Sequence, residues 1–183
     1  MRKSPMFVLA AMLSAATVLA PLGEAHAALN AYLKLKGQKV GDIKGSVTQK
    51  GREGGIKVIS VAHEIVSPRD PASGLPTGKR MHKPFVVTVE IDRSTPQLLG
   101  AIAGNEKFAA FSLEMAGPNG GPSLYRVGLT NATISGFEFV TLADNNTAAL
   151  KLTFTYQKIE WTWVDGNITA QDDWETPVAK KSL

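Results

Sequence analysis

Apolar and polar residues alternate with a period of two along most of the chain, the spacing of strands that bury one face. Leu29, Ala31, Leu33 and Leu35 point one way, and Asn30, Tyr32, Lys34 and Lys36 the other. After a turn over Gly37 to Gly41, Ile56, Val58, Ser60 and Ala62 alternate with Lys57, Ile59, Val61 and His63, apolar enough on both faces for a central strand. The rhythm returns in Phe85, Val87, Val89 and Ile91, in Phe111, Leu113 and Met115, in Tyr125, Val127 and Leu129, and through Ile134 to Val140. It closes with Leu150, Leu152, Phe154 and Tyr156, running on into Ile159, Trp161 and Trp163, so that seven or eight strands are predicted.

One segment follows helical spacing instead. Ser94 and Thr95 supply a cap, Pro96 sits in the first turn, Leu98, Leu99 and Ile102 form one face, and Gly104 ends it, which predicts a short helix over about 95–104. Many strands with one helix make a mostly-β domain, a two-sheet β-barrel or sandwich with the helix packed at one side or end. Residues 67–84 break the pattern with Pro68, Pro71, Pro76 and Pro84 among charges and few apolar side chains. Such a segment cannot join the core, and it is predicted to be a long extended loop projecting as a contact arm. Gly117 to Pro122 is glycine-rich but lacks the lysine and setting of a phosphate loop, and reads as a hairpin turn.

The first 27 residues have the layout of a secretory signal peptide: Arg2 and Lys3, an uncharged apolar run from Met6 to Leu22, and the small-x-small triplet Ala25, His26 and Ala27. Pro21 and the triplet argue against a retained membrane anchor. Cleavage after Ala27 takes 27 of the 183 residues and leaves 156, a single domain over 28–183. It also removes Arg2, Lys3 and Glu24, which lowers the net charge from +4 to +3, too little to mark a nucleic-acid surface.

Chemistry is scarce. The chain has no cysteine, which excludes disulfides, thiolate metal sites and a cysteine nucleophile. Beyond the leader only His63 and His82 remain, too few for an imidazole metal site or a hydrolytic triad, and no G-x-S-x-G occurs. His63 reads as a half-buried strand residue, and His82 as a residue that orders the arm by hydrogen bonding. Asp172, Asp173 and Glu175 around Trp174 fit no glycosidase or calcium-loop spacing, and read as an acidic turn whose tryptophan docks on the barrel. N-x-Thr sequons at Asn131, Asn145 and Asn167 are the kind of match that threonine-rich strands produce by chance. No catalytic residue, cofactor or metal is indicated. Within the arm Lys79, Arg80 and Lys83, with Arg69 and Asp70 at its other end, suit a complementary protein contact.

The arm also carries a resemblance. Ser67-Pro68-Arg69-Asp70-Pro71 through Ser73-Gly74, then Gly78-Lys79-Arg80-Met81-His82-Lys83-Pro84-Phe85, is similar to the extended loop of the Hcp family, the tube protein of bacterial type VI secretion. Tyr156-Gln157-Lys158-Ile159-Glu160-Trp161, then Asp172-Asp173-Trp174 and Pro177, resembles that family's closing strand and tail, and Ser94-Thr95-Pro96 stands where its single helix begins. The resemblance implies a two-sheet β-barrel with one helix, closing into a hexameric ring. Stacked rings would form a tube that a contractile sheath expels, with a spike at its tip and small effectors in its lumen, and with no chemistry of its own. It further implies that six arm residues, Arg69, Asp70, Lys79, Arg80, His82 and Lys83, touch a neighbouring subunit or ring. Tube-forming members leave the cytoplasm without a leader, so the N-terminal signal adds a second expectation: a periplasmic or extracellular Hcp-like binding module. Cytoplasmic assembly requires a start site further downstream or an N-terminal segment that is not processed. Neither nucleic acid nor a stable membrane anchor is expected.

Overall fold

The computed structural model describes residues 30–143 and 146–175. The leader, the sequon at Asn145 and Pro177 lie outside the described residues. Twelve strands and one α-helix follow in chain order: β1 (Ala31–Gly37), β2 (Gly41–Ile43), β3 (Ile56–Ala62), β4 (Ile65–Val66), β5 (Met81–His82), β6 (Phe85–Glu90), α1 (Thr95–Ala103), β7 (Lys107–Ala116), β8 (Ser123–Thr130), β9 (Ala132–Thr141), β10 (Ala148–Thr155), β11 (Lys158–Trp163) and β12 (Ile168–Asp173). The excess over the expected seven or eight comes from three short pieces, β2, β4 and β5, which carry too few residues to show a period, and from β12, whose ITAQDD has no apolar alternation to show one.

Ten strands form one antiparallel sheet in the order β12-β11-β8-β7-β9-β10-β6-β3-β1-β2, and a further pairing of β7 with β1 closes β7, β9, β10, β6, β3 and β1 into a barrel. Closure is possible because β7 is ten residues long and serves three partners. Its first residues pair with β9, its last with β8, and its other edge runs along β1. The strands β8, β11 and β12 therefore leave the barrel as an extension. The barrel interior is filled by fully buried Leu33, Ile56, Val58, Phe85, Val87, Val89, Leu113, Leu150, Leu152 and Phe154, the inward positions of alternating strands.

Two departures from the simple alternation have local causes. In β3 the register shifts between Val58 and Ser60, so the face turns over: Val61 packs against the core while Ser60 and Ala62 are exposed, the reverse of the predicted face. A β-bulge inserts one unpaired residue and reverses side-chain direction beyond it. Ile91, predicted to continue the inward row of β6, is exposed because the strand stops at Glu90 and the chain turns into the helix. That turn is built by Asp92, whose Oδ1 accepts from the Ser94 amide and hydroxyl and whose own amide donates to Thr95 Oγ1. Asp92, not Ser94, does the side-chain capping. The helix buries Leu98 and Ala101, with Leu99 and Ile102 half-buried on the core.

The Gly117–Pro122 turn joins β7 to β8 as expected, and it is tied down from the loop before β3. Arg52, buried and lying 4.8 Å from the Tyr32 ring, donates through Nη1 to the Gly120 carbonyl at 2.9 Å, and Gln49 Nε2 donates to the same oxygen.

Candidate functional site

Residues 67–84 project as a narrow hairpin, rooted by β4 and β5, which pair Ile65 with His82 and Val66 with Met81. Further out Arg69 and Pro76 form a bridge, and the Thr77 amide donates to the Pro68 carbonyl. The tip is an Asp turn: Asp70 Oδ1 accepts from the Ala72 amide at 3.1 Å, the Ser73 amide at 2.7 Å and the Ser73 hydroxyl at 2.8 Å. These bonds, the Ser73 hydroxyl foremost, hold the Asp70 carboxyl below its ordinary pKa. Arg69 Nη1 donates across the turn to the Gly74 carbonyl. Gly74 has φ of +70°, a left-handed geometry that suits glycine at this bend. With four prolines and almost no apolar contacts, the arm keeps its shape through backbone bonds and the tip.

Its base is held to the chain's C-terminal strand. Arg80 makes a two-pronged ion pair with Asp172, Nε to Oδ2 and Nη2 to Oδ1, and also donates to the Asp173 carbonyl. His82 sits between Asp172 Oδ2 at 2.8 Å and the Tyr156 hydroxyl at 2.9 Å. The same hydroxyl meets His63 Nε2 at 2.6 Å, just beyond β3. Trp174 Nε1 donates to the Tyr156 carbonyl at 2.7 Å, so the tryptophan docks as the sequence suggested, but Asp172 and Asp173 end strand β12 instead of forming an acidic turn. Hydrogen bonding from Arg80 and then His82 holds the Asp172 carboxyl below its usual range against the opposing effect of burial. Burial, with the Asp172 charge, pushes the Tyr156 phenol up to about 12, and burial together with His82 lowers the His63 imidazole.

The six arm residues therefore divide. Arg80 and His82 are turned back onto their own subunit, Asp70 and Arg69 shape the tip, and Lys79 and Lys83 stand exposed. Sequence reading treated His63, Tyr156 and Asp172 as separate features. The signal that joins them is charge: a basic arm base and an acidic tail that β12 returns to it.

Two surfaces elsewhere are open. Phe137 and Phe139 on β9 meet edge to face with centroids 5.8 Å apart, and Phe139 is 56% exposed. Only Ala132 and Thr133 of β9 pair with β7, so among the described residues the rest of that edge has no strand against it. Among the described residues strand β12 pairs only with β11, and near its start Trp163, Val164 and Ile168 are exposed together with Leu124.

A family model described as "Type VI secretion system effector, Hcp" matches residues 32–163, the barrel and its extension up to β11. The chain belongs to the Hcp family. A curated relative, the "Major exported protein" of Pseudomonas aeruginosa, is 31% identical over 81% of this chain and 97% of its own length. Among solved structures, Hcp1 from E. coli EAEC 042 is 34% identical with a TM-score of 0.70, covering 80% of this chain and 99% of that one. Secreted protein Hcp3 from Pseudomonas aeruginosa is 26% identical with a TM-score of 0.64, covering 79% and 99%. The expected mostly-β barrel with one helix and a long arm is thus the fold of the family, and membership places the chain in type VI secretion.

Proposed function

We propose that this chain is a non-enzymatic structural subunit of a type VI secretion tube, six copies closing into a ring, with stacked rings exported behind a spike by the contracting sheath and small effectors carried inside. The observation that carries this reading is that two open strand edges, on β9 and β12, each lie beside exposed large apolar side chains. A lone subunit would leave these edges as templates for aggregation. Pairing unlike surfaces head to tail covers them, and such a contact either closes into a ring or continues as a filament. The arm supplies the second contact: Lys79, Lys83 and Arg69 reach a neighbouring subunit or ring, while Asp70 holds the tip and Arg80 and His82 hold the base. Sedimentation velocity of the purified protein tests this. A hexamer is expected, and a monomer at tens of micromolar would sink it. Lys79→Glu with Lys83→Glu should leave the barrel folded and weaken ring stacking.

A second reading is favoured by the N-terminal segment: a leader cleaved after Ala27 would deliver the 28–183 domain to the periplasm, as an Hcp-like binding module apart from the sheath. N-terminal mass spectrometry on fractionated cells separates the two. A chain beginning at Ala28 in the periplasm supports the module, and an unprocessed cytoplasmic chain supports the tube.

A further inference from the structure

The arm's anchor contains a line of groups that each bind hydrogen: His63 Nε2 to the Tyr156 hydroxyl at 2.6 Å, that hydroxyl to His82 Nδ1 at 2.9 Å, and His82 Nε2 to Asp172 Oδ2 at 2.8 Å. Each imidazole is a donor at one nitrogen when neutral and at both when protonated, and a phenol gives one hydrogen and accepts at its oxygen. With both rings neutral the line is complete in one direction. His63 donates to the phenol oxygen, the phenol donates to His82 Nδ1, and His82 Nε2 donates to the carboxylate.

One added proton reverses part of the line without breaking it. On His82 it makes Nδ1 a donor to the phenol oxygen, and the phenol turns its hydrogen to His63 Nε2, which accepts in the other tautomer. Nothing is left unpaired, and the charged ring lies against Asp172. A second proton has no such solution. Both rings then donate to the one phenol oxygen, the phenol hydrogen has no acceptor between them, and two cations stand with centroids 6.4 Å apart. The geometry points to a one-proton buffer in the arm's anchor: the His63–Tyr156–His82–Asp172 line absorbs a single proton intact, and a second proton frees the arm from the barrel.

Among the described residues, no carboxylate besides Asp172 is bonded to the line. Both Asp172 oxygens are already engaged, by Arg80 and by His82. Asp173 lies on the opposite face of β12, presenting only its carbonyl to Arg80, with its carboxylate toward Gln157 and with Lys158 opposite it in register. From the arm, Arg80 and Lys83 are positive, and Glu64, next to His63, is exposed. Near His63 lie the Phe85 and Trp161 rings, at 5.2 and 6.5 Å between centroids, and the half-buried imidazole otherwise borders an open groove with Val61, Lys83 and Thr153. A lowered His63 pKa agrees with this environment. Every group belongs to one subunit, so the device does not depend on ring formation.

Hydrogen exchange and imidazole NMR on the full chain between pH 7.5 and 4.5 test it, with assembly state followed in parallel by sedimentation. The reporters are the Lys83 amide, which donates to the Glu64 carbonyl at 3.0 Å, and the amides of the β4–β5 ladder. Two separate imidazole steps are expected. Protection at the reporters should hold through the first and fall at least tenfold through the second. His63→Gln keeps a hydrogen-bonding group beside the phenol but takes no proton, and should hold the arm at least one pH unit further down. Protection that falls with the first step, protection that survives the second, or a variant whose arm opens over the same range as the native chain would each overturn the proposal. If the variant does not fold, the two-step comparison on the native chain decides alone.

Discussion

Inside the barrel, Phe85, Phe111 and Phe154 meet edge to face with centroids 5.8 and 5.1 Å apart and almost no solvent contact, whereas at the arm's base Arg80, His82, Tyr156 and Asp172 meet chiefly through hydrogen bonds and charge, with one edge-to-face contact between the His82 and Tyr156 rings. The first kind of contact is insensitive to pH and fixes the fold. The second is directional and titratable, and it fixes where one projecting segment points. The two kinds of contact occupy separate parts of the molecule. Barrel stability should therefore respond to volume, and arm position to charge.

Phe154→Ala should produce the largest effect. It empties a fully buried site between Phe108 and Phe111 and should cost about 3–5 kcal/mol in denaturant unfolding. Asp172→Ala should cost less, about 1–2 kcal/mol, because the pair with Arg80 keeps side-chain exposures of 24% and 20% and is partly screened. Its signature is regional: exchange at 79–83 should rise sharply while the barrel amides stay protected. Equal loss in both regions would break the division drawn here.

Acidification sharpens the same contrast. His63 and Asp172 both have pKa values lowered by folding, so the native state binds fewer protons than the unfolded chain and stability falls as pH falls. The His63 contribution is complete above the ordinary value of 6.5 and fades below it, and that of Asp172 fades below 3.8. Unfolding midpoints should fall with pH over this range, and less so in Asp172→Ala. Asp70→Ala should have the smallest effect, raising exchange at Ala72 and Ser73 in the arm tip without shifting global unfolding.

These regions were not equally legible in the sequence. The inward rows of Phe85, Val87 and Val89, and of Leu150, Leu152 and Phe154, could be read directly because a strand's period is two and both faces differ. The reversal at Val61 could not, since a bulge adds a residue without changing composition. The helix was placed by its cap and proline, but Asp92, two residues earlier, does the capping. The anchor was hidden for a different reason. His82 lies 74 residues from Tyr156 and 90 from Asp172, and only the β10-to-β12 path over the sheet brings them together. The arm itself was recognisable by its residues, and Asp70 and Gly74 explain why a proline-rich segment still holds one shape.

Electron microscopy of the purified protein tests the central claim most directly. A barrel with open edges on β9 and β12 should appear as annular particles of six subunits, with short stacks at higher concentration. Dispersed monomers under the same conditions would contradict the account.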